Sequence, residues 1–147
     1  MNLRYYNNIC IGVIALGAVL DQSDELSISK LFLIFPLISH QKLLQHLGRN
    51  TTKIKSIEKL IVEKTSYFSN FNKRYIDSLV LTINALQYLN DTGYVNVIDG
   101  NIILIRPFKY DKKMGNRANK IFNASENVAL LLRERPDKLY LNLRVEL

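Results

Sequence analysis

Cysteine and histidine are nearly absent from the sequence, which has one cysteine, Cys10, and two histidines among 147 residues. A single cysteine cannot form an intramolecular disulfide, and it has no histidine at a spacing typical of a zinc site. His40 and His46 are six residues apart and do not share a helical face, so we interpret each as an ordinary surface or core histidine. We therefore expect no metal, and low cysteine usage is typical of a cytoplasmic protein.

Glycine is also scarce, and the six glycines never form a Gly-x-Gly cluster or a Gly-x-x-x-x-Gly-Lys loop. The sequence thus lacks the motifs that hold nucleotide phosphates. The acidic pair Asp24-Glu25 falls in a predicted loop, where acids more often face solvent than act as general acids or bases. These absences predict a protein that is not an enzyme and that binds no cofactor and no small-molecule substrate.

Long hydrophobic runs are missing too, since the longest extends over Ile9–Leu20 and has 12 residues. A transmembrane helix needs roughly 18 apolar residues. The run follows a single cation, Arg4, and contains the small-x-small site Ala15-Leu16-Gly17, so a secretory signal peptide remains an alternative. A membrane-associated protein anchored by Ile9–Leu20 is a further alternative. The favoured interpretation is a buried first helix in a protein without a membrane partner.

Apolar residues are present in quantity: they make up 48% of the chain, enough to form a core. A length of 147 residues suits one domain. We expect a single domain over residues 1–147. It would comprise N-terminal helices over 1–48, helices and a β-ribbon over 49–108, and C-terminal helices with a tail strand over 109–147.

Hydrophobic periodicity predicts that most of the chain is helical. The segment Leu26–Ile38 is apolar and is expected to end or kink at Pro36. In Asn116–Arg135 a break near Ser125 would divide one helix into two, with Ser125 as the cap. The other helices are predicted at Leu3–Leu20, Gln41–Leu47, Ile54–Lys64 and Lys73–Leu89, and the last of these is apolar on several sides and is expected to be central.

A β-hairpin is predicted directly after the Lys73–Leu89 helix. The runs Tyr94–Ile98 and Asn101–Ile105 are rich in β-forming residues, and Asp99-Gly100 between them is typical of a type I′ turn. In that register Val95 and Val97 lie opposite Leu104 and Ile102, so this face is apolar and is expected to pack on the rest of the protein.

The tail alternates strictly between apolar and polar residues from Leu139 to Leu147. This pattern predicts a half-buried strand, either a third strand beside the hairpin or a strand added to a partner's sheet. The predicted fold class is therefore α+β, mainly helical: a winged-helix-like domain with a two- or three-stranded β-wing.

Positive charge is absent from the wing and from all of the predicted helix after its first two residues, although the chain as a whole has a net charge of +7. No Lys or Arg occurs from Tyr75 to Ile105, and three aspartates give that stretch a charge of −3. A DNA-reading helix and wing favour cations, because phosphate contacts supply much of the affinity. We therefore predict protein docking there and on the tail, through Tyr94, Ile103, Ile105, Leu141, Leu143 and Val145.

The cations are concentrated in two other segments. Residues 42–64 have a net charge of +4, and Arg106–Lys120 has a net charge of +5. The second cluster could follow a nucleic-acid backbone, bind an acidic patch on a partner, or form an ordinary solvated face. Its candidate contact residues for DNA or an acidic partner are Lys109, Lys112, Lys113, Arg117 and Lys120.

Four segments in order along the chain carry a resemblance to a known family: NNICIGVIALGAVL, LFLIFPLISHQ, FNKRYIDSLVLTINALQYLNDTGYVNVIDGNIIL and GNRANKIFNASENVALLLRERP. They resemble the middle component of bacterial ABC-three-component systems, which include Lamassu-type anti-phage defence. The resemblance implies a hetero-oligomer in which an SMC-like ABC ATPase and an effector, often a nuclease, are joined by the middle component. It supplies no catalytic residues, and related winged-helix subunits of SMC complexes serve chiefly as docking surfaces.

The leading hypothesis is thus a non-catalytic, cytoplasmic adaptor subunit that links such an ATPase to its effector and contacts DNA, if at all, within the complex. The alternative is a winged-helix transcriptional regulator that binds DNA itself. That alternative depends on Lys73 and Arg74, the only cations at the start of the predicted recognition helix.

Overall fold

The computed structural model describes the backbone of residues 3–146 and the side chains of residues 8–146. Within this range the chain is mainly helical with one small sheet, so the predicted α+β class is confirmed. The elements are α1 Leu3–Asp21, β1 Leu26–Ser27, α2 Ile28–Leu31, α3 Ile34–Ile38, α4 Gln41–Leu47, α5 Ile57–Glu63, α6 Phe71–Asp77, α7 Leu79–Asp91, β2 Val95–Ile98, β3 Asn101–Leu104, α8 Asn116–Leu131 and α9 Pro136–Leu143, with 3₁₀ turns at Thr65–Phe68 and Lys112–Met114.

Helix α1 lies at the centre of the core and packs against α7 and α8. Nearly every side chain from Val13 to Leu20 is buried, which agrees with the predicted buried first helix. Gly12 of α1 faces the side chains of Leu81 and Ala85 in α7. The apolar run that would anchor the chain to a membrane is therefore enclosed by the protein's own helices. None of the helices described within residues 3–146 is long and apolar enough to span a bilayer.

The sheet is antiparallel with strand order β1-β3-β2. Val95 pairs with Leu104 and Val97 pairs with Ile102, so the predicted hairpin register is confirmed. Asp99 and Gly100 have φ of 52° and 78°, the positive values that a type I′ turn requires. The predicted apolar face is only partly covered, because Val95 and Ile102 are buried whereas Val97 is 46% exposed.

The predicted tail strand is wrong. The third strand is β1, where Leu26 pairs with Ile102, and residues of the tail up to Leu143 form α9. The alternating pattern also places Leu139 and Leu143 four residues apart, and both are buried on one side of the helix. Pro136 at the first helical position, where a missing amide proton costs nothing, favoured a helix start.

The long predicted helix Lys73–Leu89 is divided at Ser78 into α6 and α7. The Ser78 hydroxyl donates a hydrogen bond to the Tyr75 carbonyl oxygen at 3.1 Å, an example of a serine side chain competing with the helical backbone. Conversely, the predicted break in Asn116–Arg135 is absent from α8. Ser125 caps nothing; it is buried mid-helix and donates to the Phe122 carbonyl oxygen at 2.7 Å.

Two further predictions differ from the structure in detail. Helix α5 begins at Ile57 rather than Ile54, because the Ser56 hydroxyl caps it by accepting a hydrogen bond from the Lys59 amide at 3.1 Å. Pro36 lies within α3, where it occupies the third position of the helix. The first amides of a helix have no intrahelical partner, so proline is tolerated there.

Candidate functional site

The outward side of the hairpin is a mainly apolar and partly uncovered surface, which we call the wing face. The register places Asn96 opposite Ile103 and Ile98 opposite Asn101 on this side. The Ile105 amide then donates to the Tyr94 carbonyl oxygen at 2.8 Å, which continues the pairing by one step. The wing face therefore comprises Tyr94, Asn96, Ile98, Asn101, Ile103 and Ile105, with Ile98 and Ile105 each about half exposed.

Three of the predicted docking residues, Tyr94, Ile103 and Ile105, thus share one face of the hairpin. Sequence reasoning missed Ile98, although its position four residues after Tyr94 in an alternating strand was the signal that could have identified it. The wing face contains no charged side chain, and the turn beside it contributes only Asp99.

Tyr94, at the start of the hairpin, makes one aromatic and one cation–π contact. Its ring meets Phe108 edge-on, with ring centroids 5.5 Å apart. The Arg106 guanidinium lies 4.3 Å from the same ring centroid and donates to the Thr92 carbonyl oxygen at 3.2 Å. A cation over an aromatic face is an attractive contact. The contacts of Arg106 therefore hold the residues after β3 against the end of α7.

A second uncovered surface is the apolar stripe Ile76, Val80 and Ile83 along α6 and α7. These side chains are 52%, 64% and 52% exposed. Val80 and Ile83 share one face of α7, and Ile76 lies in α6 before the break at Ser78. The adjacent Asp77 pairs with Lys73 at 2.7 Å. Like the wing face, the apolar stripe falls in the stretch that has no Lys or Arg of its own.

The three predicted docking residues of the tail differ in their exposure to solvent. Leu143 is buried in the core, Val145 is half-buried against it, and Leu141 is 79% exposed. Leu141 lines an open cavity of about 700 Å³ between α5, α6 and α9, together with Val62 and Phe68. No residue of the wing face lines this cavity, so the structure does not bring the tail candidates and the wing candidates into one site.

The predicted cationic residues have different surroundings. Lys109 pairs with Asp21 at 2.7 Å, and the same carboxylate accepts a hydrogen bond from the Phe108 amide at 3.3 Å. Lys112 and Lys113 lie in the 3₁₀ turn before α8 and are exposed. None of the salt bridges formed within residues 8–146 involves Lys112, Lys113, Arg117 or Lys120.

The fold brings one cation from each of the two basic segments together. Arg49, from residues 42–64, and Lys120, from Arg106–Lys120, line one cavity of about 290 Å³ between α4 and α8. Arg117 and Lys120 line an adjoining cavity of about 380 Å³ with Gln41. The sequence offered no signal for this juxtaposition, because Arg49 and Lys120 are 71 positions apart along the chain.

The two histidines have structural surroundings. His40 caps α4 by accepting a hydrogen bond at Nδ1 from the Leu43 amide at 3.1 Å. Burial and the charges of Arg74 and Lys42 lower the pKa of His40. Burial and the charges of Lys64 and Arg49 lower the pKa of His46 in the same way. Among the residues whose side chains the structure describes, no three His, Cys, Asp or Glu lie together in a metal-binding arrangement.

Uncovered apolar faces and a cation-lined groove are features of a protein that binds other macromolecules. A family model described as ABC-three component (ABC-3C) system Middle Component 3 matches residues 15–147. The chain therefore belongs to this family: it is an accessory subunit that works with the other components of an ABC-three-component system. No curated protein matches the chain, and no solved structure matches it either.

Proposed function

We propose that this middle component is a non-catalytic adaptor in a bacterial anti-phage or anti-plasmid defence complex. It joins an SMC-like ABC ATPase to an effector, such as a nuclease, in the cytoplasm, as in Lamassu-type systems. Membership of the Middle Component 3 family supports a role among several subunits. The wing face is the observation that carries the docking role, because it leaves apolar side chains uncovered. The cation beside it, Arg106, lies over the Tyr94 ring and donates to the Thr92 carbonyl oxygen.

The proposal includes a winged-helix-like architecture. A helix, α7, leads directly into the β2–β3 hairpin, and a short strand after α1 completes the sheet in the order β1-β3-β2. The additional helices α4, α5 and α6 between β1 and α7 enlarge this arrangement. In this architecture α7 and the wing form the surface that other winged-helix proteins turn towards DNA.

The alternative function, a transcriptional regulator, requires free cations at the start of the α6–α7 pair. Lys73 is instead paired with Asp77 at 2.7 Å. Arg74 is half-buried, and it donates hydrogen bonds to the carbonyl oxygens of Pro36 at 3.1 Å and Tyr67 at 3.0 Å. Since both cations already have partners within the protein, the adaptor function is favoured over groove reading by this helix.

The adaptor function is tested by co-expressing the chain with the proteins encoded beside it and isolating the complex by size-exclusion chromatography. The double variant Ile98→Lys/Ile105→Lys places two charges on the wing face and is expected to abolish complex formation. The charge-matched control Asn50→Lys/Thr51→Lys changes two exposed positions in the loop after α4 that belong neither to the wing face nor to the Leu141 cavity, and is expected to retain the complex.

Circular dichroism should show that both double variants are folded, since all four side chains are exposed. The adaptor function is wrong if the unmodified chain forms no complex with any adjacent gene product. Docking through the wing face is wrong if the complex survives Ile98→Lys/Ile105→Lys, or if the control variant disrupts it equally.

A further inference from the structure

The groove between α4 and α8, which we call the cationic groove, consists of the two adjoining cavities described above. They share Leu44 and Lys120, so they form one continuous depression along the helix pair. Its rim carries three cations, and its remaining polar groups are amides and one hydroxyl. The lining residues are Ile38, Ser39, Gln41, Leu44, Gln45, Gly48, Arg49, Arg117, Lys120 and Asn123, and none of them is acidic or aromatic.

The three cations of the groove are available to a ligand. Arg49, Arg117 and Lys120 are exposed, and no salt bridge within the described side chains engages them. This distinguishes them from Lys109, whose charge is offset by Asp21. An acid-free group of three unpaired cations raises the local concentration of a polyanion.

The walls of the groove are held rigidly. The Asn127 side-chain amide donates to the Leu47 carbonyl oxygen at 2.7 Å, which ties the end of α4 to α8. The Gly48 amide donates to the Leu44 carbonyl oxygen at 3.0 Å and closes the end of α4. The Thr52 hydroxyl donates to the His46 carbonyl oxygen at 2.6 Å and holds the loop that carries Arg49. The cations therefore project from a preformed surface.

We propose that the cationic groove binds the phosphate backbone of duplex DNA. Binding of single strands relies on aromatic side chains that stack on bases, and the groove has none. The groove follows α4, which has seven residues and is about 10 Å long. Its three cations, Arg49 just after α4 and Arg117 and Lys120 on α8, match about three phosphates. Shape recognition of duplex RNA extends over about 16 base pairs, which is far longer than this groove.

The chemistry of the groove implies binding without sequence preference. Backbone contacts position a protein on DNA, whereas base edges carry the sequence information. This contact is separate from the wing face, so the same subunit would hold DNA on one surface and a protein on another. The proposal therefore goes beyond the adaptor function and does not require a particular docking partner.

The test is fluorescence anisotropy of the full chain with a labelled duplex of about 20 base pairs, repeated at several salt concentrations. With three phosphate contacts, affinity should fall roughly 40-fold between about 50 and about 200 mM salt. The variant Arg49→Gln/Lys120→Gln is expected to lose tenfold or more in affinity and to reduce the salt slope by about two.

The matched control is Lys53→Gln/Lys55→Gln, which removes the same charge from two exposed lysines that do not line the groove. It should change affinity less than threefold. All four positions are exposed, so the variants should fold, and a thermal melt verifies this. The groove variant leaves the wing face intact, so co-purification with the partner subunits should be unchanged.

Three results would overturn the proposal. The first is an equal loss of affinity in the groove variant and the control, which would indicate only a general attraction of a basic protein. The second is tighter binding to single-stranded DNA or to duplex RNA than to duplex DNA. The third is stronger binding to an acidic peptide such as polyglutamate, which would make the groove a site for an acidic protein.

Discussion

Gly17 in α1 leaves the space that the ring of Phe108 occupies. A Cβ on Gly17 would lie 2.6 Å from three carbon atoms of that ring, a distance that no real contact of this kind reaches. Phe108 in turn stacks on Phe122 of α8, with ring centroids 5.9 Å apart and planes 9° from parallel. The Phe108 ring thus packs the start of the basic segment Arg106–Lys120 against α1 and α8.

Gly17→Ala is expected to destabilise the protein by about 1–3 kcal/mol, because the added methyl forces the buried Phe108 ring to move. Urea unfolding of the two proteins measures the difference. Gly12→Ala in the same helix is the control: its Cβ would meet Ala85 at 3.4 Å, close to ordinary contact, and helix propensity favours alanine. Equal stability of Gly17→Ala and the unmodified protein would contradict this account of the α1–Phe108 contact.

Tyr75 and Tyr140 connect α6 to α9 through their hydroxyls, which lie 3.2 Å apart, and their rings meet edge-on at 5.7 Å. The Tyr140 hydroxyl donates to the Ser29 carbonyl oxygen at 2.6 Å, so the Tyr75 hydroxyl is the donor to Tyr140. Burial, together with the bond to Tyr75, raises the pKa of Tyr140.

Tyr140→Phe should lower the free energy of unfolding by about 1–2 kcal/mol, because it leaves the Ser29 carbonyl and the Tyr75 hydroxyl without this partner. Tyr75→Phe should cost less, since Tyr140 keeps its bond to Ser29. A double-mutant cycle by chemical denaturation measures the coupling, which is expected to be non-zero. Strict additivity of the two substitutions would show that the hydroxyl pair contributes nothing.

Helix α5 is joined to the C-terminal part of the chain by Glu134. One carboxylate oxygen accepts a hydrogen bond from the Ile57 amide at 2.8 Å, and the other pairs with Lys138 at 2.9 Å. Glu134→Ala is expected to cost about 1–3 kcal/mol, because the first amide of α5 loses its acceptor near a buried Ile57 side chain. Glu134→Gln keeps an acceptor oxygen and should cost less.

Denaturant midpoints compare these variants with Glu126→Ala, a control on the exposed side of α8. The control should be within about 0.5 kcal/mol of the unmodified protein, as surface substitutions usually are. If Glu134→Ala is as stable as the control, the hydrogen bond to Ile57 does not stabilise the fold.

The stability of the protein should decrease as the pH falls through 6.5, the ordinary pKa of histidine. The pKa of His46 and the pKa of His40 are both lowered in the folded chain, so near and below pH 6.5 the unfolded chain binds more protons than the folded one. The stability contributed by the neutral histidines is therefore complete above pH 6.5 and is lost on acidification. Burial is the main cause of the lowered pKa of His46, and its Nδ1 atom is buried without a hydrogen-bond partner among the described residues.

Thermal melts between about pH 7.5 and pH 5.5, a range in which few carboxylates titrate, measure this dependence. The variant His40→Asn/His46→Gln removes both titrating groups while asparagine retains a capping side chain for α4. Its melting temperature should vary less over the range. A variant with the same pH dependence as the unmodified protein would assign the effect to other groups.

The features that could be predicted from the sequence are those that depend on local spacing. The extent of α1, the helix Gln41–Leu47 and the hairpin register all agree with the structure, because an apolar period or an Asp-Gly turn acts over a few residues. Of the wing-face residues, Tyr94, Ile103 and Ile105 were predicted docking residues, and the register places these three on one face. The absence of Lys and Arg from Tyr75 to Ile105 is likewise a property of the sequence alone.

Tertiary structure alone decided where these pieces meet. The leucines of the tail satisfy both a strand and a helix period, and packing of Leu139 and Leu143 against the core selected the helix, so β1 became the third strand. The cationic groove exists only because α4 packs on α8 and brings Arg49 beside Lys120. Local residue patterns carry no record of such long-range contacts, since the burial that stabilises them arises only when the whole core assembles.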